Sequence, residues 1–165
     1  MFCNSYIKGK TVLDIPCGVG WGASRLKGAG MLYGVDISPE AIDYAKNHYK
    51  NIQFEVGNMA QIPFKKDFFD IVICLEGFEH IPKEVGHVFI PESLRVLKVF
   101  GLIIMTCPVL DDEGKTTGNP YHIYEYPEKE LIDSLNQNYR ILLLERIKGP
   151  DGPEIRFVGQ KIKVL

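Results

Sequence analysis

The residues best suited to chemistry lie in the run Asp14-Ile-Pro-Cys-Gly-Val-Gly-Trp-Gly. Gly18, Gly20 and Gly22 let backbone approach a ligand where a Cβ would collide. A dinucleotide site asks for G-x-G-x-x-G, with the pyrophosphate at the helix N-terminus. Here the order is G-x-G-x-G, and Asp14 stands four residues ahead of the first glycine. A carboxylate there repels a pyrophosphate and suits a cationic or neutral polar group. Asp36 follows 18 residues after Gly18, at the end of a second apolar run. An acid at that place accepts hydrogen bonds from both hydroxyls of a ribose. Helix capping is the bland alternative for Asp36, but Ser38 already supplies a cap before Pro39. Ribose without pyrophosphate, beside an acidic loop, points to S-adenosylmethionine.

Regular elements must hold these groups. Residues 11–15 (TVLDI) read as a strand that stops at Pro16, followed by the glycine turn and a helix over 21–27. Residues 31–35 form a second strand. Ser38-Pro39-Glu40 then supplies an N-cap, a proline at the first helical position and an acid in the first turn of a helix over 39–49. Residues 52–56 alternate as a strand, and 68–75 (FFDIVICL) are almost continuously apolar, as in a strand buried on both faces. A helix over 85–99 must kink or restart at Pro91, and a strand follows over 102–107. A last helix spans 128–136, and strands over 139–148 and 155–164 are joined by the hairpin signal GPDGP.

Strands alternating with helices predict a doubly wound, Rossmann-like α/β fold. The expected sheet has seven strands, mostly parallel, with an antiparallel strand from the closing hairpin at one edge. The chain reads as one domain over residues 1–165, with a short leader (1–10), a cofactor-binding core (11–108) and an acceptor-side loop, helix and hairpin (109–165). Net charge near −2 argues against a nucleic-acid partner, although residues 140–165 carry six Lys/Arg against three Asp/Glu. Cys3, Cys17, Cys74 and Cys107 are far apart and include no C-x-x-C pair, so the spacing implies reduced thiols in a cytoplasmic protein rather than a zinc site. No apolar run has the length of a membrane span.

Five stretches, VLDIPCGVGWGASRL, GVDISPEAIDYAK, FEVGNMAQIPF, FDIVICLEGFEHI and ESLRVLKVFGLIIMTCP, resemble in order and spacing the motifs of class I S-adenosylmethionine-dependent methyltransferases, of the type 11 group. The segment NPYHIYEYPEKEL resembles members associated with cell-surface polysaccharide biosynthesis. The resemblance implies that Asp14 orders the methionine end of the cofactor, and that Cys17, Gly18 and Gly20 line it with main chain. It implies that Asp36 takes the ribose hydroxyls, Ile37 packs on adenine, and Asn58 and Met59 flank the adenine edge. Asn58 stands where the family often has Asp, and an Asn carbonyl can still accept from the adenine amino group. The Leu75 carbonyl and Glu76 are expected to face the methionine amino group. Relatives usually carry a longer leader with a helix over the cofactor.

Methyl transfer from a sulfonium depends mainly on orientation, but an oxygen or nitrogen acceptor can need a general base. His80 is the first candidate, because it follows the fourth strand and histidine exchanges protons near neutrality. His122 is the second, on a loop able to close over the acceptor. Trp21, Tyr121, Tyr124 and Tyr126 are candidates for an aromatic wall. Glu76, Glu79 and His80 form E-x-x-E-H, which resembles a metal-ligand run of some RNA and ubiquinone-type O-methyltransferases. Glu76 is also wanted by the amino group, so no metal is expected. The expected activity is methyl transfer to a small-molecule or sugar- or lipid-linked acceptor. A cofactor-binding module without activity and a nicotinamide-dependent oxidoreductase are the alternatives.

Overall fold

Alternation along the strands decides the layering. In a computed structural model that describes residues 2–149 and 152–162, strands β1 (Thr11–Asp14), β2 (Met31–Asp36), β3 (Gln53–Val56), β4 (Phe69–Leu75), β5 (Leu97–Pro108), β6 (Arg140–Lys148) and β7 (Pro153–Gln160) form one sheet in the order β3-β2-β1-β4-β5-β7-β6. The first five are parallel. β7 runs antiparallel between β5 and the outermost β6, which gives the antiparallel closure expected of the hairpin. Met1, Pro150, Asp151 and residues 163–165 lie outside the described residues, and with them part of the GPDGP signal and the end of the strand expected over 155–164.

Val12, Ile71, Ile73 and Ile104 point to one face, where α1 (Trp21–Ser24) contributes Ala23 and α2 (Pro39–His48) contributes Ile42 and Ala45. Leu13, Val72, Cys74 and Met105 point to the other, under α3 (Lys83–Val96) and α4 (Glu128–Asn138). All four cysteines are free and buried. The central strands β1, β4 and β5 are apolar on both sides because helices cover both, as parallel sheets require.

The structure departs from the sequence expectations at three ends. α1 is a single turn rather than a helix to residue 27. α3 runs unbroken through Pro91, whose missing N–H costs the helix one bond without ending it. β5 starts five residues early, at Leu97, and carries a bulge where Phe100 takes a left-handed φ of 65°. Lys161, buried beyond β7, ties this bulge down: its Nζ donates to the Leu97 carbonyl at 2.6 Å and to Asp67 Oδ1 at 2.8 Å.

One polar cluster matters for the ligand side. Arg95 on α3 donates to the carbonyls of Phe64 (2.8 Å) and Ile62 (2.9 Å), and Glu92 accepts from the Ile62 amide at 2.8 Å. These bonds pin the loop after β3, which carries Asn58 and Met59, against the helix. Among the described residues no helix is long and apolar enough to cross a membrane.

Candidate active site

Two cavities, of about 480 and 620 Å³, open at the carboxyl ends of the parallel strands and share Pro16, Gly18 and Glu76 in their walls. The first adds Asp36, Ile37, Asn58, Met59 and His80; the second adds Asp14, Cys17, Leu75, Glu154 and Arg156. A further cavity of about 660 Å³ lies at the opposite, amino ends of β2 and β3, and no acidic side chain lines it.

The loop after β1 is held by Asp36. Its Oδ2 accepts from the Gly18 amide at 2.7 Å and its Oδ1 from the Ser38 amide at 3.0 Å, while Ser38 Oγ caps α2 by accepting from Ala41. Gly18 has φ 52°, so glycine is needed there for conformation. Gly20 (φ 82°) lies outside both walls; a Cβ on it would come within 2.8 Å of Phe54, so its role is packing between β3 and the turn. Gly77 has an analogous part, because a Cβ there would sit 2.4 Å from the Pro16 ring. Through it the loop after β4 presses directly on the loop after β1.

Acidic groups converge on this place. Asp14 is 6% exposed and no hydrogen-bond donor reaches its carboxylate among the described residues; burial, then the Asp36 charge, pushes it up to about 7. Glu76 takes a left-handed φ of 49° at the end of β4, which turns its side chain toward Thr106, whose hydroxyl donates to Glu76 Oε1 at 2.5 Å. Burial keeps the Cys17 thiol protonated. Met59 is buried beside Ile62, and Ile37 is 68% exposed at the mouth of the first cavity. Asn58 Oδ1 already accepts from the Ala60 amide at 2.8 Å, so one of its two lone pairs is committed within its own loop.

The two histidines separate. His80 lines the first cavity, and its Nδ1 lies 2.9 Å from the Tyr121 carbonyl. A carbonyl only accepts, so Nδ1 carries the proton and a neutral ring offers its lone pair at Nε2. His122 is turned inward, with Nδ1 2.6 Å from Glu125 and 3.1 Å from the Thr117 hydroxyl, and it lines neither cavity. Its ring packs edge-on at 5.2 Å from His80. His122 therefore packs against His80 and stands outside both cavity walls. The expected aromatic wall is also divided. Trp21 lines the second cavity, Tyr126 is buried against Phe78, and Tyr121 and Tyr124 line neither.

Behind His80 stands Glu79, buried at 1% exposure and pushed up to about 7 chiefly by that burial. Its Oε1 is 3.6 Å from His80 Nε2, and its Oε2 has no partner among the described residues.

The arrangement suits a nucleoside on the Asp36 side and a cationic group on the Asp14–Glu76 side. A family model for a methyltransferase domain matches residues 12–101. The chain belongs to the methyltransferase-domain family. A probable S-adenosylmethionine-dependent methyltransferase of Mycolicibacterium smegmatis is 28% identical over 131 residues, covering 77% of this chain and 50% of that protein. The chain thus spans about half the length of this curated relative. Among solved structures, an S-adenosylmethionine-dependent methyltransferase of Methanosarcina mazei has a TM-score of 0.83 at 20% identity, covering 99% of this chain and 98% of its own. The Burkholderia thailandensis 1,6-didemethyltoxoflavin-N1-methyltransferase, with 1,6-didemethyltoxoflavin and S-adenosylhomocysteine bound, has a TM-score of 0.77 at 17% identity, over 94% and 72% of the two chains. The resemblance to methyltransferases therefore stands, and the fold is shared with solved S-adenosylmethionine-dependent methyltransferases.

Sequence reasoning missed the Thr106 hydroxyl that fixes Glu76, and it missed Glu154 and Arg156 in the second wall. Only the pairing of β7 beside β5 brings these last two to the site, and their signal in the sequence is no more than two charges in a strand otherwise apolar.

Proposed function

We propose that the chain transfers the methyl group of S-adenosylmethionine to an oxygen or nitrogen of a small-molecule or sugar- or lipid-linked acceptor, with His80 as general base. One observation supports the choice of base: His80 lines the cavity that also holds Gly18, Asp36 and Glu76, and the Tyr121 carbonyl engages its Nδ1, which leaves Nε2 as the accepting nitrogen. When bound, S-adenosylmethionine supplies an electrophilic methyl on a sulfonium, and its transfer is an in-line displacement that discharges the sulfur. Asp36 orients the ribose and, through the Gly18 amide, the loop beneath it. Asp14 and Glu76 hold the ammonium end. His80 Nε2 takes the proton that the acceptor loses, and the Tyr121 carbonyl stabilises the imidazolium through Nδ1–H. The name of the Burkholderia neighbour, which pairs this fold with methylation of a small heterocycle, supports a small acceptor. A net charge of −2 favours it over nucleic acid.

The test is S-adenosylhomocysteine production across sugars, lipid intermediates and phenols, with His80→Asn beside the wild type. The expected loss in turnover is on the order of 100-fold with cofactor affinity preserved. Cofactor binding without turnover on any acceptor would favour the binding module, and stabilisation by NAD alone would favour the oxidoreductase.

A specific observation favours a second reading of the same cluster. One ligand atom from each of Glu79, His80 and His122 lies within 4.8 Å of the others, and Glu79 Oε2 is buried without a partner. A divalent cation would satisfy that oxygen. Metal analysis after purification with and without chelator separates the readings, since stoichiometric metal would replace His80 as base by a metal-bound arrangement.

A further inference from the structure

Among the described residues, the wall of the second cavity holds three carboxylates, Asp14, Glu76 and Glu154, and a single cationic side chain, Arg156. The acids suit the ammonium of the methionine moiety; the guanidinium is left unexplained by that reading. Arg156 sits on β7 opposite Thr106 of β5, the residue whose hydroxyl fixes Glu76. Side chains paired in this way project from the same face, so Arg156 reaches the cavity beside Glu76.

Its surroundings hold it in place without satisfying it. The guanidinium carbon lies 4.6 Å from the centre of the Phe2 ring, a cation–π contact. One nitrogen, Nη1, makes a long contact of 3.3 Å to Glu145 Oε2 on the neighbouring strand. Nε is buried and has no hydrogen-bond partner among the described residues. A buried donor without an acceptor is costly, and a carboxylate that engages Nε and one Nη matches the fork of arginine.

Resting on the S-adenosylmethionine reading above, we propose that Arg156 anchors the carboxylate of the cofactor's methionine moiety, as the cationic counterpart of the Asp14–Glu76 pair. An amino acid is a zwitterion whose two charges leave one carbon, so a wall that holds both acids and an arginine offers a partner to each charge. The second cavity then selects cofactors that carry an intact amino-acid group.

The test compares S-adenosylhomocysteine with 5′-methylthioadenosine, which keeps the nucleoside and sulfur but has no amino-acid group. Titration calorimetry on wild type, Arg156→Gln and Arg156→Lys reads the effect. In Arg156→Gln, S-adenosylhomocysteine is expected to bind about 10- to 30-fold more weakly, as for loss of one charge-assisted pair, and 5′-methylthioadenosine within twofold of wild type. Arg156→Lys restores part of the affinity for the first ligand only. Unchanged S-adenosylhomocysteine binding overturns the proposal and leaves the guanidinium to an acceptor carboxylate. Equal losses for both ligands overturn it as well, because they mark a structural role. If wild type binds neither ligand, the failure belongs to the cofactor reading itself.

Discussion

Asp14→Asn should change two pH dependences at once. In the native protein burial and the Asp36 charge raise the Asp14 carboxyl from 3.8 to about 7. Native protein therefore keeps this proton between about pH 4 and 7 while unfolded chain has lost it, so stability falls as pH rises through that window. A displacement of about three pH units corresponds to roughly 4 kcal/mol, fully expressed above pH 7. Asparagine has the same shape and no charge to desolvate, so the variant should be more stable than wild type at pH 8 and nearly equal to it at pH 4. Glu79 is raised in the same direction, but it is common to both proteins and cancels in their difference. Ligand binding should show the opposite trend. A cationic cofactor group favours ionised Asp14, so the free protein must release the proton on binding, and S-adenosylmethionine affinity should rise about 30-fold between pH 5.5 and 8 in wild type. Titration of the ligand's own ammonium affects both proteins alike. Urea unfolding and calorimetry at pH 5.5, 7 and 8 on the two proteins measure both effects. Parallel pH slopes in wild type and variant would refute the argument, because Asp14 would then titrate as an exposed carboxyl.

Two further substitutions probe the supports of the site. Gly77→Ala places a Cβ 2.4 Å from the rigid Pro16 ring, so the loops after β1 and β4 must part; a loss of about 1–3 kcal/mol by thermal unfolding and at least a tenfold weaker S-adenosylhomocysteine affinity are expected. Wild-type affinity in this variant would show that the two loops do not need each other. Lys161→Ala removes a buried cation bonded to Asp67 and the Leu97 carbonyl, and urea unfolding should report a loss of about 2–4 kcal/mol with cofactor affinity unchanged. A loss within error would mean that the bulge in β5 is held by its neighbours alone.

The core of the fold was legible because its signals are local. The run at 68–75 and the alternation at 52–56 carry their period in themselves, and the Ser38-Pro39-Glu40 start of α2 is written in adjacent residues. The same holds for Asp14, Gly18 and Asp36, which stand at strand ends that any reading of the pattern finds. Early termination of α1 and continuation of α3 through Pro91 were not legible, because packing on the sheet decides them against local propensity. At the site, the sequence ranks His80 ahead of His122 only by its place after the fourth strand; Glu125, three residues from His122, and the Tyr121 carbonyl, 41 residues from His80, separate their surroundings in the fold. Arg156 was invisible for a similar reason, since its place depends on the register between β5 and β7.

That strand order has a consequence for how the chain is made. β7 fills the gap between β5 and β6, yet of the seven strands of this sheet it is the last to leave the ribosome. Until it arrives β5 has an unpaired edge, and β6 has no neighbour to join, since each pairs with β7 and not with the other. A nascent chain halted before Pro153 therefore carries an open, apolar template that other strands can join. Substitutions that weaken β7 should accordingly lower the yield of soluble protein during synthesis more than they lower the cofactor affinity of molecules that have closed.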